Sequence, residues 1–65
     1  MARDLDASRA AILDVAESVF AERGFDGTSM QDIATAAGVS RGMPGYAFGS
    51  KASLYEAVLD RAFAR

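Results

Sequence analysis

The chain of 65 residues contains no cysteine and no histidine. These absences exclude disulfide bonds, thiolate and imidazole catalysis, and the common zinc sites. No apolar run approaches the ~20 residues that a membrane-spanning helix needs, and the first residues lack the pattern of a secretory signal. Val, Thr, Tyr and Phe never alternate over the length of a strand. The sequence therefore predicts an all-α fold, and it gives no sign of a metal or another cofactor.

The chain also lacks an excess of positive charge. Its seven basic residues are outnumbered by nine acidic ones, which gives a net charge of −2 and argues against a nucleic-acid partner. The distribution of charge points the other way. Residues 1–32 carry three arginines and seven carboxylates, whereas residues 33–55 contain Arg41 and Lys51 and no carboxylate. The segment 33–55 is the only locally positive one, although two charges alone are weak support for a nucleic-acid site.

Apolar residues at helical spacing and turn-forming glycines divide the chain into four predicted helices. Residues 1–7 are polar and predict a flexible arm, Ser8 is a plausible cap for the first helix, and Gly24 is a suitable stop. Ser50 predicts the start of the fourth helix. We expect helices near 8–24, 29–37, 40–47 and 50–65. Their shared core should contain Ile12, Leu13, Ala16, Phe20, Ile33, Ala34, Val39, Phe48 and Leu54.

The second helix has two competing starts. Thr28 with Gln31 and Ser29 with Asp32 are both spaced as capping boxes, in which a hydroxyl and a side chain three residues later bond each other's backbone N–H groups. We favour Ser29, because a carboxylate in the first turn also suits the positive end of the helix dipole.

Residues 29–48 have the form of a helix-turn-helix, with Gly38 in the turn and Ser40 as the predicted cap of the third helix. Gly42, Pro44 and Gly45 are unfavourable inside a helix, so the segment after Ser40 reads equally well as a glycine-rich loop. Violations of local rules are often found at functional sites, and a surface with few side chains lets the main chain approach a ligand closely.

In its order and spacing of residues, the chain from Arg9 to about Leu59 resembles the DNA-binding domain of the TetR (tetracycline-repressor) family of bacterial transcription regulators. No single match is specific, but together they are distinctive. The matching residues are Ile12, Leu13, Ala16, Phe20, Gly24, Phe25, Thr28, Ser29, Asp32, Ile33, Ala34, Ala37, Gly38, Val39, Ser40, Gly42, Tyr46, Phe48, Ser50, Lys51 and Leu54.

The resemblance implies a three-helix, homeodomain-like helix-turn-helix bundle over 8–65, with the motif at about 29–48, plus the start of a fourth helix. It also implies sequence-specific binding of double-stranded DNA in the cytoplasm, at the nucleoid, by a regulator that is not an enzyme. The expected regulator is a repressor, homodimeric at full length and released by a small-molecule effector. The domain that binds the effector and forms the dimer is absent from this chain, which is then a piece of a longer protein.

The resemblance also implies which residues contact DNA. Ser29 and Gln31 match positions that touch phosphate or a base, and the recognition-helix positions that follow Ser40 are Arg41, Gly42 and Met43. An aromatic residue at the position of Tyr46 contacts the DNA backbone or a thymine methyl group, and Lys51 matches a phosphate-binding position. Two departures are Gly45, where relatives commonly carry Tyr, and Ala47, where they carry Tyr or His. The expected contacts are Ser29, Gln31, Ser40, Arg41, Gly42, Met43, Tyr46 and Lys51.

Each of these residues also has a structural interpretation. Arg41 could be an ordinary surface charge, Met43 a filler of the core, and Gln31 only a helix cap. Tyr46 could pack on Phe20 in the core. Lys51 could pair with Glu56 or Tyr55 on the surface.

A different class of function is a helical module that binds another protein through the fourth helix or the surface around Met43 and Tyr46. The acidic net charge favours it modestly. An enzyme is the third class, but no carboxylates are paired in a recognisable motif and the chain leaves little room for a catalytic pocket.

Overall fold

The computed structural model describes the backbone of residues 2–64 and the side chains of residues 5–64. Residues 1 and 65, which fall in the predicted arm and at the predicted end of the fourth helix, lie outside the described residues. Four helices and no strand occur between residues 2 and 64, so the predicted all-α fold is confirmed. The helices are α1 (Ala2–Arg23), α2 (Met30–Ala37), α3 (Met43–Phe48) and α4 (Lys51–Phe63).

Helix α1 begins six residues earlier than predicted. The predicted cap at Ser8 is wrong, because α1 already runs from Ala2 and includes the described part of the predicted arm. The segment before Ser8 contains Ala, Arg and Leu, which are among the strongest helix formers. Its polarity was therefore a poor guide to its conformation. The predicted stop is confirmed: α1 ends at Arg23, and Gly24 follows with φ +78° and donates its N–H to Phe20 O at 2.8 Å.

Helix α2 starts as the capping box at Ser29 predicted. The Ser29 hydroxyl accepts the Asp32 N–H at 3.0 Å, and Asp32 Oδ2 accepts the Ser29 N–H at 3.2 Å. The competing start at Thr28 is excluded, since Thr28 is buried and donates its hydroxyl to Gly24 O at 2.8 Å. Gly38 ends α2 with φ +71°, the left-handed conformation that a glycine adopts without strain.

Helix α3 corrects a second prediction. It does not begin at Ser40 but at Met43, after the cap Gly42, which offers no side-chain hydrogen bond. The backbone carbonyl of Ser40 instead accepts the Met43 N–H at 3.0 Å in the turn before the helix. The shift follows from Pro44. A helix capped by Ser40 would place Pro44 in its fourth position, where the missing N–H and the ring would disrupt the bond to the Ser40 carbonyl. At the second position of the observed helix, no internal partner is required.

Helix α4 begins at Lys51 after the predicted cap Ser50, whose hydroxyl accepts the Ser53 N–H at 3.1 Å. It ends at Phe63. Arg61 ties α4 to α1, because its guanidinium contacts Asp14 Oδ1 at 2.7 Å and Glu17 Oε1 at 2.6 Å. These hydrogen bonds, that of Glu17 first, raise the pKa of Arg61 above its ordinary value. The sequence did not predict this contact.

The core lies where α1, α2 and α4 meet. Six of the nine predicted core residues are buried, and Leu13, Val39 and Phe48 are half-buried and packed against them. Burial of each large aliphatic side chain contributes about 1.5–3 kcal/mol. Three rings extend the core, since Phe20 and Tyr55 meet edge to face at 5.0 Å and Phe25 lies 6.0 Å from Phe20. The buried apolar residues are Ile12, Ala16, Phe20, Ile33, Ala34, Leu54 and Val58.

Candidate nucleic-acid interface

Most of the residues predicted to contact DNA are exposed, at the start of α2, in the turn 40–42 and on the solvent side of α3. We call these exposed positions together the α3 surface. Of the eight predicted residues, Met43 and Lys51 are half-buried. The other six are exposed: Ser29, Gln31, Ser40, Arg41, Gly42 and Tyr46.

Arg41 lies in the turn immediately before α3, not within the helix as predicted. Its side chain is exposed and makes no hydrogen bond, ion pair or ring contact with the described part of the chain. The guanidinium therefore keeps all five N–H donors available. A planar fork of donors fits the O6 and N7 edge of guanine or two phosphate oxygens.

Tyr46 projects from the second turn of α3 and is 78% exposed. The alternative that it packs on Phe20 is wrong, because the ring partners of Phe20 are Phe25 and Tyr55. A tyrosine held in water by a rigid helix offers a flat apolar ring and a hydroxyl to a partner. Nothing in the fold of residues 5–64 explains this exposure.

Met43 behaves differently. It is half-buried and packs against the core cluster, as the structural interpretation of this residue expected. It is the first residue of α3 and precedes Pro44, which is fully buried. These two residues pack the start of α3 against the core. A DNA contact by Met43 remains a prediction.

Lys51 is bound within the protein. Its ammonium donates to Phe25 O at 2.7 Å and to Thr28 O at 3.0 Å, and it lies 4.2 Å from the centre of the Phe25 ring. The alternative pairing with Glu56 or Tyr55 is therefore wrong. Because an ammonium has three N–H donors, one is left for another acceptor. Lys51 links the start of α4 to the loop between α1 and α2, and its phosphate contact remains a prediction.

The start of α2 is fixed by charge as well as by its capping box. Asp32 also faces Arg23, with 3.4 Å between Nη1 and Oδ2. The pKa of Asp32 is lowered, first by the Ser29 backbone N–H and then by the Ser29 hydroxyl and Arg23. Gln31 is exposed next to this box and takes no part in it, so the alternative that Gln31 caps the helix is not supported. Ser29 and Gln31 thus sit on a firmly held helix end.

Arg9 is a supporting residue that sequence reasoning missed. Its guanidinium donates to Ala47 O at 2.6 Å and lies 4.4 Å from the centre of the Phe48 ring. It satisfies a carbonyl near the C-terminal end of α3, where helices leave such groups without internal partners. The two residues are 38 positions apart, and no local pattern of the sequence signals the contact.

The comparisons with known proteins agree with this geometry. The family model "Bacterial regulatory proteins, tetR family" matches residues 12–58. The chain is 45% identical over 53 residues to the transcriptional regulator TtgR of Pseudomonas putida, covering 82% of the chain and 25% of TtgR. It is 43% identical over 51 residues to the transcriptional repressor KstR2 of Rhodococcus jostii, covering 78% of the chain and 25% of KstR2.

A solved structure is also similar. HlyIIR, a hemolysin II transcriptional regulator, matches with a TM-score of 0.83 and 39% identity over 86% of this chain and 31% of that one. The chain thus spans about a quarter of the length of the curated relatives that it matches. The match to the family model includes α2, α3 and the turn between them, which carry most of the α3 surface. The chain therefore belongs to the tetR family of bacterial regulatory proteins.

Proposed function

We propose that this chain is the DNA-binding part of a bacterial transcription regulator and that the α3 surface enters the major groove. The observation that carries the proposal is a pair of exposed side chains: Arg41, just before α3, which has no partner among the described residues, and Tyr46 in α3, which is 78% exposed. In a helix-turn-helix, the N-terminal residues of the second helix read base edges while the first helix crosses the DNA backbone. Arg41 then reads a base, and Ser29 and Gln31 contact phosphate.

The predicted sites at Ser40, Gly42, Met43 and Lys51 complete the proposed interface. Ser40 lies beside Arg41 in the turn and offers a hydroxyl to the DNA backbone. Lys51 has one N–H donor left, with which it binds a phosphate at the edge of the interface. Among the eight predicted contact residues, Arg41 and Lys51 carry the positive charge, so through them each chain neutralises about one or two phosphates. The logarithm of the binding constant should then fall by only about 1–2 per tenfold rise in salt.

The test uses a DNA duplex selected by this chain from a pool with a randomised centre. Fluorescence anisotropy then measures binding of that duplex and of scrambled duplexes at several salt concentrations. We expect a preference for the selected sequence and a shallow loss of affinity with salt. Failure to enrich any sequence, with no binding even at low salt, would refute the proposed function.

The remaining properties of the regulator are part of the same proposal. We place it in the cytoplasm, at the nucleoid, as a homodimeric repressor that a small effector releases through a further domain. KstR2 is named as a repressor, which supports this sign of regulation. Two linked helix-turn-helix units engage two half-sites, and linkage raises the effective concentration of the second. The full-length product of the gene should therefore bind a two-half-site operator more tightly than this chain does.

Protein binding by α4 is a second candidate function. Phe63 is 83% exposed and Leu59 is 36% exposed, so α4 presents apolar surface to solvent. Association through such a surface depends little on salt, unlike DNA binding. A complex that persists unchanged in high salt and needs Phe63 would favour this function over the first.

A further inference from the structure

Helix α3 depends on the rest of the protein for its conformation and its orientation. It has six residues, whereas isolated helices shorter than about 12 residues are marginal in water. Its cap, Gly42, offers no side-chain hydrogen bond, and Gly45 lies inside the helix, where glycine is unfavourable. Contacts with other parts of the chain must therefore hold α3 in place.

Such contacts are present at both ends of α3. At its start, Met43 packs against the core and Pro44 is fully buried. At its end, Phe48 also packs against the core, and Arg9 of α1 reaches the main chain. Arg9 donates from Nη1 to Ala47 O at 2.6 Å, and its guanidinium lies 4.4 Å from the centre of the Phe48 ring.

The hydrogen bond from Arg9 differs from the apolar contacts because it has a direction. Burial of apolar surface is favourable in proportion to its area, without a preferred angle, whereas a hydrogen bond weakens steeply as it bends. The acceptor, Ala47 O, belongs to the main chain of α3 and to the residue that directly follows Tyr46. A cation also suits this end of a helix, where carbonyl groups lack internal partners. Arg9 thus fixes the rotation of α3 about its own axis.

A small rotation of α3 has a large consequence at the α3 surface. A helix with its side chains is ~10–12 Å in diameter, so a rotation of about 10–20° moves the outer end of a side chain by about 1–2 Å. Side chains that recognise a ligand need to be held within about 0.5 Å of their productive geometry. Tyr46, in the second turn of α3, and Arg41, just before the helix, are displaced by such a rotation.

We infer that Arg9 is a positioning residue, which sets the orientation of α3 and thereby places Arg41 and Tyr46 against the bases without contacting DNA itself. The inference rests on the proposed function. It adds to the predicted contact residues a residue of α1 that acts through the main chain of α3. Base preference then depends on a hydrogen bond inside the protein.

Arg9→Met tests this role, because it keeps an apolar stem and removes the hydrogen bond and the contact with the Phe48 ring. Anisotropy titrations are made far below the melting temperature, where circular dichroism shows the chain to be folded. We expect affinity for the duplex selected by the unmodified chain to fall about tenfold, the equivalent of one lost base contact. Affinity for scrambled duplexes and the salt dependence should stay unchanged, because no phosphate contact is removed.

Two further variants complete the experiment. Arg9→Lys should recover most of the lost affinity, since an ammonium can also donate to Ala47 O and lie over the Phe48 ring. Arg61→Met is the matched control: Arg61 is also half-buried, also joins two helices and also carries one positive charge, but it contacts α1 from α4. It should lower the melting temperature and leave DNA binding unchanged. If Arg9→Met does not fold, Arg9→Gln replaces it, with the same expected results.

Three results would overturn the inference and leave the proposed function standing. Unchanged affinity and base preference, with only a lower melting temperature, would confine Arg9 to the fold. An equal loss for all duplexes, with a salt slope shallower by about one, would show that Arg9 contacts a phosphate. An equal loss of affinity in Arg61→Met would assign the effect to stability or charge. If the unmodified chain itself retains no duplex from the pool, the proposed function fails and this inference fails with it.

Discussion

Cations on two sides of the molecule differ in what they contact. On the α4 side, Lys51 donates to two backbone carbonyls and Arg61 contacts two carboxylates of α1. On the α3 surface, Arg41 is exposed and makes no contact with the described part of the chain. The first two charges hold the fold together, whereas the third is free for a partner. A chain of net charge −2 can therefore still expose a positive charge locally.

The largest expected difference is in the free energy of unfolding, between a variant that lacks the Lys51 cation and one that lacks the Arg41 cation. Lys51→Met keeps an apolar stem but loses two charge-assisted hydrogen bonds and the contact with Phe25. We expect the free energy of unfolding to fall by about 2–3 kcal/mol, a large share of the stability of so small a domain. Arg41→Met is the matched control and should leave chemical denaturation unchanged. Equal effects of the two substitutions would show that the comparison is wrong.

The second prediction concerns recognition by Arg41. A bidentate contact of arginine with guanine gives about 1–3 kcal/mol of discrimination against other bases. Arg41→Ala should therefore relax the preference at one base pair of the selected duplex, measured by titrating all single-base variants. Stability should not change. A uniform loss of affinity with base preference intact would instead make Arg41 a backbone anchor.

Substitution of Tyr46, on the same surface, should have a smaller effect on DNA affinity. Because its ring is exposed and its hydroxyl has no partner in the described chain, Tyr46→Phe should leave the melting temperature unchanged. If the hydroxyl meets a phosphate, affinity should fall by the value of about one hydrogen bond, 0.5–1.5 kcal/mol, for all sequences alike. A change in which base is preferred would place the hydroxyl at a base edge instead.

Breaking the capping box of α2 should have the smallest effect, a change in melting temperature that depends on pH. The pKa of Asp32 is lower in the folded chain than its ordinary value, so the charged form stabilises the fold. This contribution is complete above the unfolded pKa of about 3.9 and is lost as the pH falls through the folded value. Asp32→Asn should thus lower the melting temperature slightly at neutral pH and have no effect in strong acid. A difference that stays constant from pH 7 to pH 2 would contradict this origin.

Local signals account for the parts of the fold that the sequence predicted. The starts of α2 and α4 were found because Ser29 and Ser50 bond to groups three residues away. The start of α3 was misplaced because Ser40 also looks like a cap, and the constraint from Pro44 outweighs it. Helix α1 extends to the N-terminal side of Ser8, as far as Ala2. The apolar pattern of the sequence does not mark that start, so the length of α1 could not be predicted.

Contacts between distant residues could not be predicted from the chain. Lys51 meets carbonyl groups 23 and 26 positions away, and a carbonyl group carries no sequence signature of its use. Arg9 and Arg61 likewise act across 38 to 47 positions. By contrast, Arg41 and Tyr46 are identified by resemblance, and the structure shows that both are exposed. Their contact with DNA stays a prediction. Only the structure shows which of these cations contact other described residues and which does not.

Amide chemical-shift mapping tests most directly whether the α3 surface is the DNA interface. The isotopically labelled chain is titrated with the selected duplex, and the shift of each backbone amide is followed. The account predicts the largest changes at Gln31, Arg41, Gly45 and Tyr46, with Asp14, Arg61 and Phe63 nearly unaffected. If the largest changes instead lie along α4, centred on Leu59 and Phe63, they contradict the account and show that α4 carries the binding surface.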